Sequence, residues 1–337
     1  MKVGIIGLGY WGPNLVRNFL AHPDVKSVIA CDINEARLKT ISHKFPSAKL
    51  SNNCEETISG ESDLIVIATP VATHYPIAKK ALQNGKHLWV EKPFTADIAE
   101  AEELIELAES KNLKIFVDHT FIYNGAVIKM KELVDKNELG NILYFDSERI
   151  NLGLFQKDVN VIWDLAPHDL SIMQYILRKK AKAISANGIA NFNGKENIAH
   201  ISIYFDDNCF AHFHVNWVSP VKIRRMIVGG DKKMMVYDDM ENFEKIKVYD
   251  SGIEMKETEK IHEALVQYRI GDMFSPKVNQ TEALALGARE CITAIQQNRQ
   301  PLTSGQDGLE VVKLLEASDK SLKSMGQIVE INHLVHF

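Results

Sequence analysis

Three glycines, an aspartate, a lysine and an Asp/His pair are the residues of this chain whose types and spacing suit chemistry. Gly7, Gly9 and Gly12 in GLGYWG follow an apolar run, KVGIIGL, and precede an amphipathic one, PNLVRNFLAH. After a strand and before a helix, such glycines allow a tight turn, a close backbone approach to a pyrophosphate and close helix–strand packing, with helix N-terminal amides facing the phosphates. Tyr10 and Trp11, inside the loop, are expected beside the cofactor with them. Asp32 stands twenty residues beyond Gly12, where a carboxylate accepts hydrogen bonds from a ribose 2′-OH and repels a 2′-phosphate. This favours NAD over NADP, although Arg37 lies close enough in sequence to complicate the choice.

Two further polar segments end apolar runs: Ala68-Thr69-Pro70 with His74, and Glu91-Lys92-Pro93 after HLWV. Ligands in open α/β sheets bind at the carboxyl ends of the strands, so Thr69, Pro70, His74, Glu91 and Lys92 are expected to line the cofactor. Lys92 could hydrogen-bond a substrate hydroxyl or serve as an acid/base; an ordinary ion pair with Glu91 or another acid would also account for it. In WDLAPHD, Asp164 and His168 are four residues apart, so a helix places them on one face. A carboxylate there sets the tautomer of an imidazole that takes a hydroxyl proton, or makes a purely structural hydrogen bond.

These residues need a scaffold. Through about residue 120, short β-branched runs (KVGIIGL, KSVIACD, LIVIATP, HLWVEKP, KIFVDHT) alternate with amphipathic stretches, the rhythm of a doubly wound parallel sheet. Pro13 fits a first helical turn, Asn84-Gly85 a helix end, and Asp97 with Glu100 an N-terminal capping pattern. Beyond that point a helix near Gly125–Leu139, a strand near Leu143–Asn151 and a longer helix around Trp163 lead into AISANGIA, HISIYFDD, FAHFHVNW, RRMIVGG, KMMVYDD and EKIKVYD. Several of these alternate with period two and read as a largely antiparallel open sheet. Helices near 281–298 and 308–324 and a short strand, IVEI, close the chain. The expected fold is therefore α/β, with a Rossmann domain over 1–120 and an α+β domain over 121–337 for substrate binding and oligomerisation.

The 337 residues suit two domains, and 45% hydrophobic with 25% charged residues is an ordinary globular composition. A net charge of -5 without like-charge blocks suggests no nucleic-acid or anionic-membrane surface. Cys31, Cys54, Cys209 and Cys291 lack metal or disulfide spacing and fit a reducing compartment. Without a signal-peptide pattern or a spanning apolar stretch, a cytoplasmic location is expected.

GLGYWG, TP-x-x-x-H, EKP and D-x-x-x-H, in that order and with a β-rich second half, resemble the glucose–fructose oxidoreductase/inositol dehydrogenase (Gfo/Idh/MocA) family over nearly the whole chain. The C-terminal run from Glu282 through Pro301-Leu302 to LLEASDKSL resembles that family's last helices. The resemblance implies Lys92 near nicotinamide and substrate, His168 as acid/base, Asp164 as its partner, and Gly7, Gly9, Gly12 and Asp32 on the cofactor. One departure is Val161-Ile162-Trp163 where the family often has a Gly-rich approach, which puts the shape of the substrate pocket in doubt.

Tyr123, Arg149, Asn151 and Gln156 precede the D-x-x-x-H helix and are expected on the substrate side, suited to a sugar ring, although each could equally be a surface residue. NLGLFQKDVNVIWDLAPHDL and WVSPVKIRRMIVGGDKKMMVYDD resemble the branch acting on nucleotide sugars. That implies redox chemistry at a ring carbon, perhaps C3, of a UDP- or dTDP-sugar, with Lys222, Arg224 or Arg225 as diphosphate contacts; a solvated strand or subunit contact accounts for these cations too. Other readings are a dehydrogenase of a free sugar or inositol, a non-catalytic NAD sensor, and a metal enzyme using His200, His212 and His214. A blander reading turns His212, His214 and Asn216 outward and Phe213, Val215 and Trp217 into the core, leaving a sheet face for a homodimer or homotetramer.

Overall fold

The computed structural model describes residues 1–331 except 154, 157, 193 and 257–264. It divides into two compact units, Met1–Tyr123 with Thr281–Lys313, and Asn124–Gln280 with Leu314 onward. The break after Tyr123 lies close to the expected boundary. Thr281–Lys313, which the sequence reading places in the second domain, packs with the first.

In the first unit the order is β1 (Lys2–Ile6), α1 (Gly12–Ala21), β2 (Ser27–Cys31), α2 (Glu35–Lys44), β3 (Lys49–Ser51), α3 (Cys54–Ser59), β4 (Leu64–Ile67), α4 (His74–Gln83), β5 (His87–Glu91), α5 (Ile98–Ser110) and β6 (Ile115–Asp118). The strands form one sheet, β3-β2-β1-β4-β5-β6, parallel throughout. The continuous apolar runs become strands because helices cover both faces, as LIVI in β4, wholly buried, shows. Strand order reverses between β1 and β4, so the loops after them open the crevice that dinucleotides occupy in such sheets. The helix ends obey their local signals. Asp97 Oδ1 accepts from Glu100 N at 2.9 Å while Glu100 Oε2 accepts from Ala96 N at 3.2 Å, and Gly85 has a φ of 73° beyond α4.

The second unit runs α6 (Gly125–Asp135), β7 (Ile142–Leu152), α7 (Val161–Leu177), β8 (Ala181–Ile189), β9 (Ile198–Phe205), β10 (Phe210–Asn216), β11 (Val218–Gly230), β12 (Met234–Asp238), β13 (Ile246–Lys256) and β14 (Leu265–Phe274). The chain then continues through α8 (Ala283–Gln296), α9 (Gly305–Lys323) and β15 (Val329–Glu330). Nine strands make one open sheet, β14-β13-β12-β11-β7-β10-β9-β8-β15, antiparallel except where β7 meets β10. Strand β14 is not among the runs the sequence reading names, although VQYRI within LVQYRIGDMF alternates apolar with polar residues. Phe213 and Val215 are buried, and Phe213 packs on Phe145 at 5.8 Å, while His212, His214 and Asn216 lie on the opposite, partly exposed face.

Segment 281–313 joins the first unit for a reason of packing. Leu284, Ala288, Cys291 and Ile292 on one face of α8 enter the core cluster that holds Val3, Phe19, Trp89, Phe116 and Tyr123. Trp89 stacks on Phe116 at 4.0 Å and Phe116 on Tyr123 at 5.7 Å. A Cβ on Gly287 would sit 3.2 Å from the Trp89 ring, so the glycine lets α8 close onto the stack. Among the described residues no helix is long and apolar enough to cross a membrane.

Candidate active site

The loop after β1 is shaped partly by the protein and partly by what must approach it. Gly7 has a φ of 97°, and a Cβ there would meet the Ala68 carbonyl oxygen at 2.5 Å; one on Gly12 would meet the Gly7 oxygen at 2.3 Å. Both glycines are therefore demanded by the fold itself. A Cβ on Gly9 would meet nothing within 4 Å, so the protein leaves open space beside this backbone. Helix α1 starts beside it with no side-chain cap on its N-terminus, leaving amide donors for an anion. Tyr10 and Ile33, 85% and 88% exposed, are apolar surface around this cradle. The arrangement fits a dinucleotide, which the backbone of Gly7–Gly12 and Asp32 would hold.

Asp32 directly follows β2, in the interior. Its Oδ2 accepts from Leu8 N at 2.7 Å and from Arg37 at 3.2 Å, and its Oδ1 accepts from Asn34 N at 2.8 Å. A carboxylate offers about four acceptor positions, so capacity is left on Oδ1 for a ribose hydroxyl. Arg37, the residue that blurred the choice of cofactor, is paired with the aspartate. Asp32→Ala is expected to weaken NAD binding about 10- to 100-fold, the equivalent of one charge-assisted hydrogen bond, and to raise NADP affinity relative to NAD as Arg37 is released. Fluorescence titration with both reduced cofactors would check this, and an unchanged ratio would refute the assignment.

The carboxyl ends of β4, β5 and β6 carry the other groups of this unit. Thr69 and Pro70 follow β4 and are partly to fully exposed. His74, expected to touch cofactor, is instead buried as a brace: Nδ1 faces the Pro93 carbonyl at 2.9 Å and Nε2 the Thr69 carbonyl at 2.8 Å. It ties the segment after β4 to the Lys92–Pro93 bond, which is cis. Burial, with Lys92's charge adding to it, lowers the imidazole's proton affinity although the carbonyls favour protonation. Glu91, also expected on the cofactor, is buried as well, facing Asp118 across the β5–β6 register. Lys92 is half-buried at the mouth of this group. Tyr123, expected on the substrate side, is buried and bonded to Thr303 Oγ1 at 3.0 Å. Its place in the aromatic stack makes it a core residue.

His119, which the sequence reading passed over, is 1% exposed, and neither ring nitrogen has a hydrogen-bond partner among the described residues. Burial, reinforced by Lys92's charge, lowers its pKa to about 3. Because the folded value lies below the ordinary imidazole value, the unfolded chain binds the extra proton; the stability that the neutral ring contributes is present above about pH 6.5 and is lost as pH falls toward 3. For this residue the loss between pH 6.5 and pH 5 is about 2 kcal/mol. Glu91, raised above its ordinary range by burial and Asp118, works in the opposite direction, losing its contribution as pH rises. Urea denaturation at both pH values should therefore show a smaller acid loss in His119→Leu than in the unaltered protein; equal losses would contradict the assignment.

In the second unit, α7 carries Asp164 and His168. Asn160 caps the helix by accepting from Trp163 N at 3.2 Å, and Asp319 of α9 accepts from Trp163 Nε1 at 2.8 Å and from Asn160 at 3.0 Å. The bulky Val161-Ile162-Trp163 approach is buried, so these side chains build the helix's seat. Asp164 Oδ2 accepts from Trp217 Nε1 at 3.1 Å. Pro167 stands inside the helix just before His168, and by removing one N–H it denies the Trp163 carbonyl its usual helical donor.

Arg149, expected on the substrate side, is 4% exposed and paired with Asp169, the residue after His168. Its Nε and Nη2 reach Asp169 Oδ1 at 2.8 and 2.5 Å, and Ser147 Oγ donates to Oδ2 at 2.8 Å. Burial opposes the guanidinium's charge, and Asp169 more than compensates, holding its pKa above the ordinary value. Arg149 is thus a pin between β7 and α7. Asn151 is half-buried near the end of β7 and Gln156 is exposed, while Leu154 and Lys157 on either side of Gln156 lie outside the described residues. Lys222 is exposed on β11, Arg224 pairs with Asp239 at 3.4 Å and Arg225 with Glu148 at 3.2 Å. His200 stacks on His214 at 4.3 Å, and among the described residues no group of three or more His, Cys, Asp or Glu has metal-holding geometry.

Comparison with known proteins accords with this arrangement. Residues 1–119 match the family described as "Oxidoreductase family, NAD-binding Rossmann fold", and residues 127–236 match the GFO/IDH/MocA C-terminal domain. The chain is 26% identical over 260 residues to the UDP-N-acetylglucosamine 3-dehydrogenase of Acidithiobacillus ferrooxidans, covering 75% of this chain and 78% of that protein. It is 23% identical over 251 residues to scyllo-inositol 2-dehydrogenase (NAD(+)) of Bacillus subtilis, covering 70% and 73%. In fold it resembles the crystal structure of GenD2 from gentamicin A biosynthesis in complex with NAD, with a TM-score of 0.83 at 20% identity over 99% of this chain and 97% of that one. The cradle at Gly9, the carboxylate of Asp32 and the nine-stranded second sheet thus occur in an NAD-binding oxidoreductase: the chain belongs to the Gfo/Idh/MocA family.

Proposed function

We propose that the protein exchanges a hydride between NAD and a secondary alcohol or ketone carbon of a sugar, in the first place a nucleotide-linked sugar oxidised at C3. The observation that carries the redox part is the open space at Gly9 beside an uncapped helix, on the same sheet edge as Lys92. The likeness to UDP-N-acetylglucosamine 3-dehydrogenase supports the choice of sugar.

When bound, NAD supplies the acceptor for the hydride of the carbinol carbon. The protein's part is to hold the oxygen and move its proton. Lys92 donates a hydrogen bond to the oxygen as it becomes a carbonyl, and His168 accepts the hydroxyl proton. Asp164, held by the Trp217 indole one turn earlier on α7, sets the imidazole's orientation. Reduction uses the same groups in reverse. Asn151 offers an amide for a sugar hydroxyl, and Thr69, Pro70, Tyr10 and Trp11 flank the cofactor. The test is absorbance at the NADH band with NAD and a panel of nucleotide sugars, free sugars and inositols. Turnover confined to inositols or free sugars would displace the nucleotide-sugar reading; NAD bound with no turnover on any of them would move the protein toward a sensor.

The outward face of the second sheet, where Tyr144, Tyr204, Phe210, His200, His212 and His214 lie together, supports the further reading that a second copy covers it in a homodimer or homotetramer. Light scattering that finds a monomer at all working concentrations would refute this. Four cysteines, none in a disulfide, suit a reducing compartment such as the cytoplasm.

A further inference from the structure

At one end of the second sheet β7, β8 and β10 finish and β9 and β11 begin, side by side. Leu152 pairs there with Val218, Asn216 with Ile150 and Ile198, and Ile198 with Ile189. The hairpin between β8 and β9 also reaches the start of α7, where the Glu196 carbonyl accepts from Val161 N at 2.9 Å. Trp217, between β10 and β11, is clamped from three sides. Its N–H donates to the Asn197 carbonyl at 2.9 Å, its carbonyl accepts from Gly153 N at 2.9 Å, and its indole donates to Asp164 Oδ2 at 3.1 Å. A Cβ on Gly153 would lie 3.0 Å from Trp217 Cδ1, so a glycine lets the chain after β7 pass against the indole.

Two phenylalanines lead from this indole to the surface. Phe155 lies 5.5 Å from the Trp217 ring at 60°, and Phe192 meets Phe155 edge-on at 5.6 Å, ordinary separations for attracted aromatic pairs. Trp217 is 1% exposed, Phe155 is half-buried and Phe192 is 52% exposed. Phe192 nonetheless stands on fixed backbone. With its oxygen turned toward them, the wholly buried Asn197 amide accepts from Asn191 N at 3.0 Å and from Phe192 N at 3.1 Å. Because the Asn197 carbonyl also receives the Trp217 N–H, one residue ties the ring at the surface to the ring that holds Asp164. Leu152 and Ile189, both exposed, add apolar surface at the same sheet end. Aromatic and aliphatic walls converging on a few polar groups are the make-up of a small-molecule site. A sugar ring matches such a wall, with apolar C–H faces and hydroxyls around its rim.

We propose that Phe192, backed by Phe155 and Trp217, is the apolar wall of the substrate site, against which the C–H face of the sugar ring packs while its hydroxyls turn toward Asp164. The inference rests on the role proposed for Asp164 and adds a residue that selects the substrate by its ring.

Since the Phe192 ring is half exposed, Phe192→Ala is expected to keep the urea midpoint of the unaltered protein and to weaken sugar binding about ten-fold, the order of one aromatic contact with its buried area. Saturation-transfer NMR on protein loaded with NAD, with UDP-N-acetylglucosamine, glucose and scyllo-inositol as probes, reads binding without turnover. Ring C–H signals of a bound probe are expected in the unaltered protein, reduced in Phe192→Ala and kept in Phe192→Tyr. No ring signal from any probe, or a signal unchanged in Phe192→Ala, overturns the wall. In steady-state kinetics with a probe that turns over, Phe192→Ala should raise KM about ten-fold with kcat within about two-fold, and leave inhibition by UDP unchanged. Inhibition by UDP that weakens equally assigns the ring to the base and overturns the contact with the sugar. Ring signals that depend on Phe192 in a protein that transfers no hydride leave the wall standing and remove the proposed hydride exchange.

Discussion

His168→Ala is expected to lower the rate of hydride exchange about 10²- to 10⁴-fold, the ordinary contribution of a positioned acid/base, with NAD affinity within a few-fold of the unaltered protein. The asymmetry follows from where the groups lie: the cofactor cradle proposed at Gly7–Gly12 and Asp32 is in the first unit, and His168 belongs to α7 in the second. Lys92→Ala should cost about 10²- to 10³-fold, as loss of a donor to the developing charge does. Because Lys92 follows a buried strand, Lys92→Met, which keeps most of the length of the side chain, separates lost charge from lost packing. Single-turnover measurements at the NADH band decide the matter, and a His168→Ala enzyme with an unchanged hydride-transfer step would remove the imidazole from the mechanism.

Arg149→Ala should instead act on folding. Removing one partner from a buried pair leaves Asp169 without its counter-charge and costs about 3–5 kcal/mol. Since Ser147 and Arg149 of β7 both grip Asp169 of α7, the helix that carries His168 would lose its seat. The expected result is a large fall in urea midpoint together with a fall in kcat. Arg149→Ala with normal stability and only a raised KM would return Arg149 to the substrate contacts among which its sequence position first placed it.

The contrast between these residues shows how far a linear reading reaches. GLGYWG was legible because the constraints on it are local: a turn needing positive φ at Gly7, and a helix beginning five residues later. Asp32 was legible because a βα unit has a nearly constant length, so the end of β2 could be counted from β1. The alternation of buried and outward residues in FAHFHVNW came from the two-residue period of a strand. Where polar groups end up in three dimensions was not legible in this way. Tyr123, Arg149, His74 and Glu91 have side chains suited to ligands, and nothing in their neighbours along the chain shows that Thr303, Asp169, two backbone carbonyls and Asp118 meet them.

The amino-acid sequence by itself therefore determined the periodic and short-range features: the parallel strands, the glycine turn, the second β-rich half, and the spacing of Asp164 and His168 on one helix. Tertiary structure alone decided that α8 belongs with the first unit, because its apolar face fits a core built from β1, β5 and β6, and that Asp118 faces Glu91, because β5 and β6 pair in that register. The physical reason is the same in both cases. Propensity and periodicity act within a few residues, whereas burial and charge pairing depend on contacts between segments far apart in the chain, and these are chosen only when the whole unit packs.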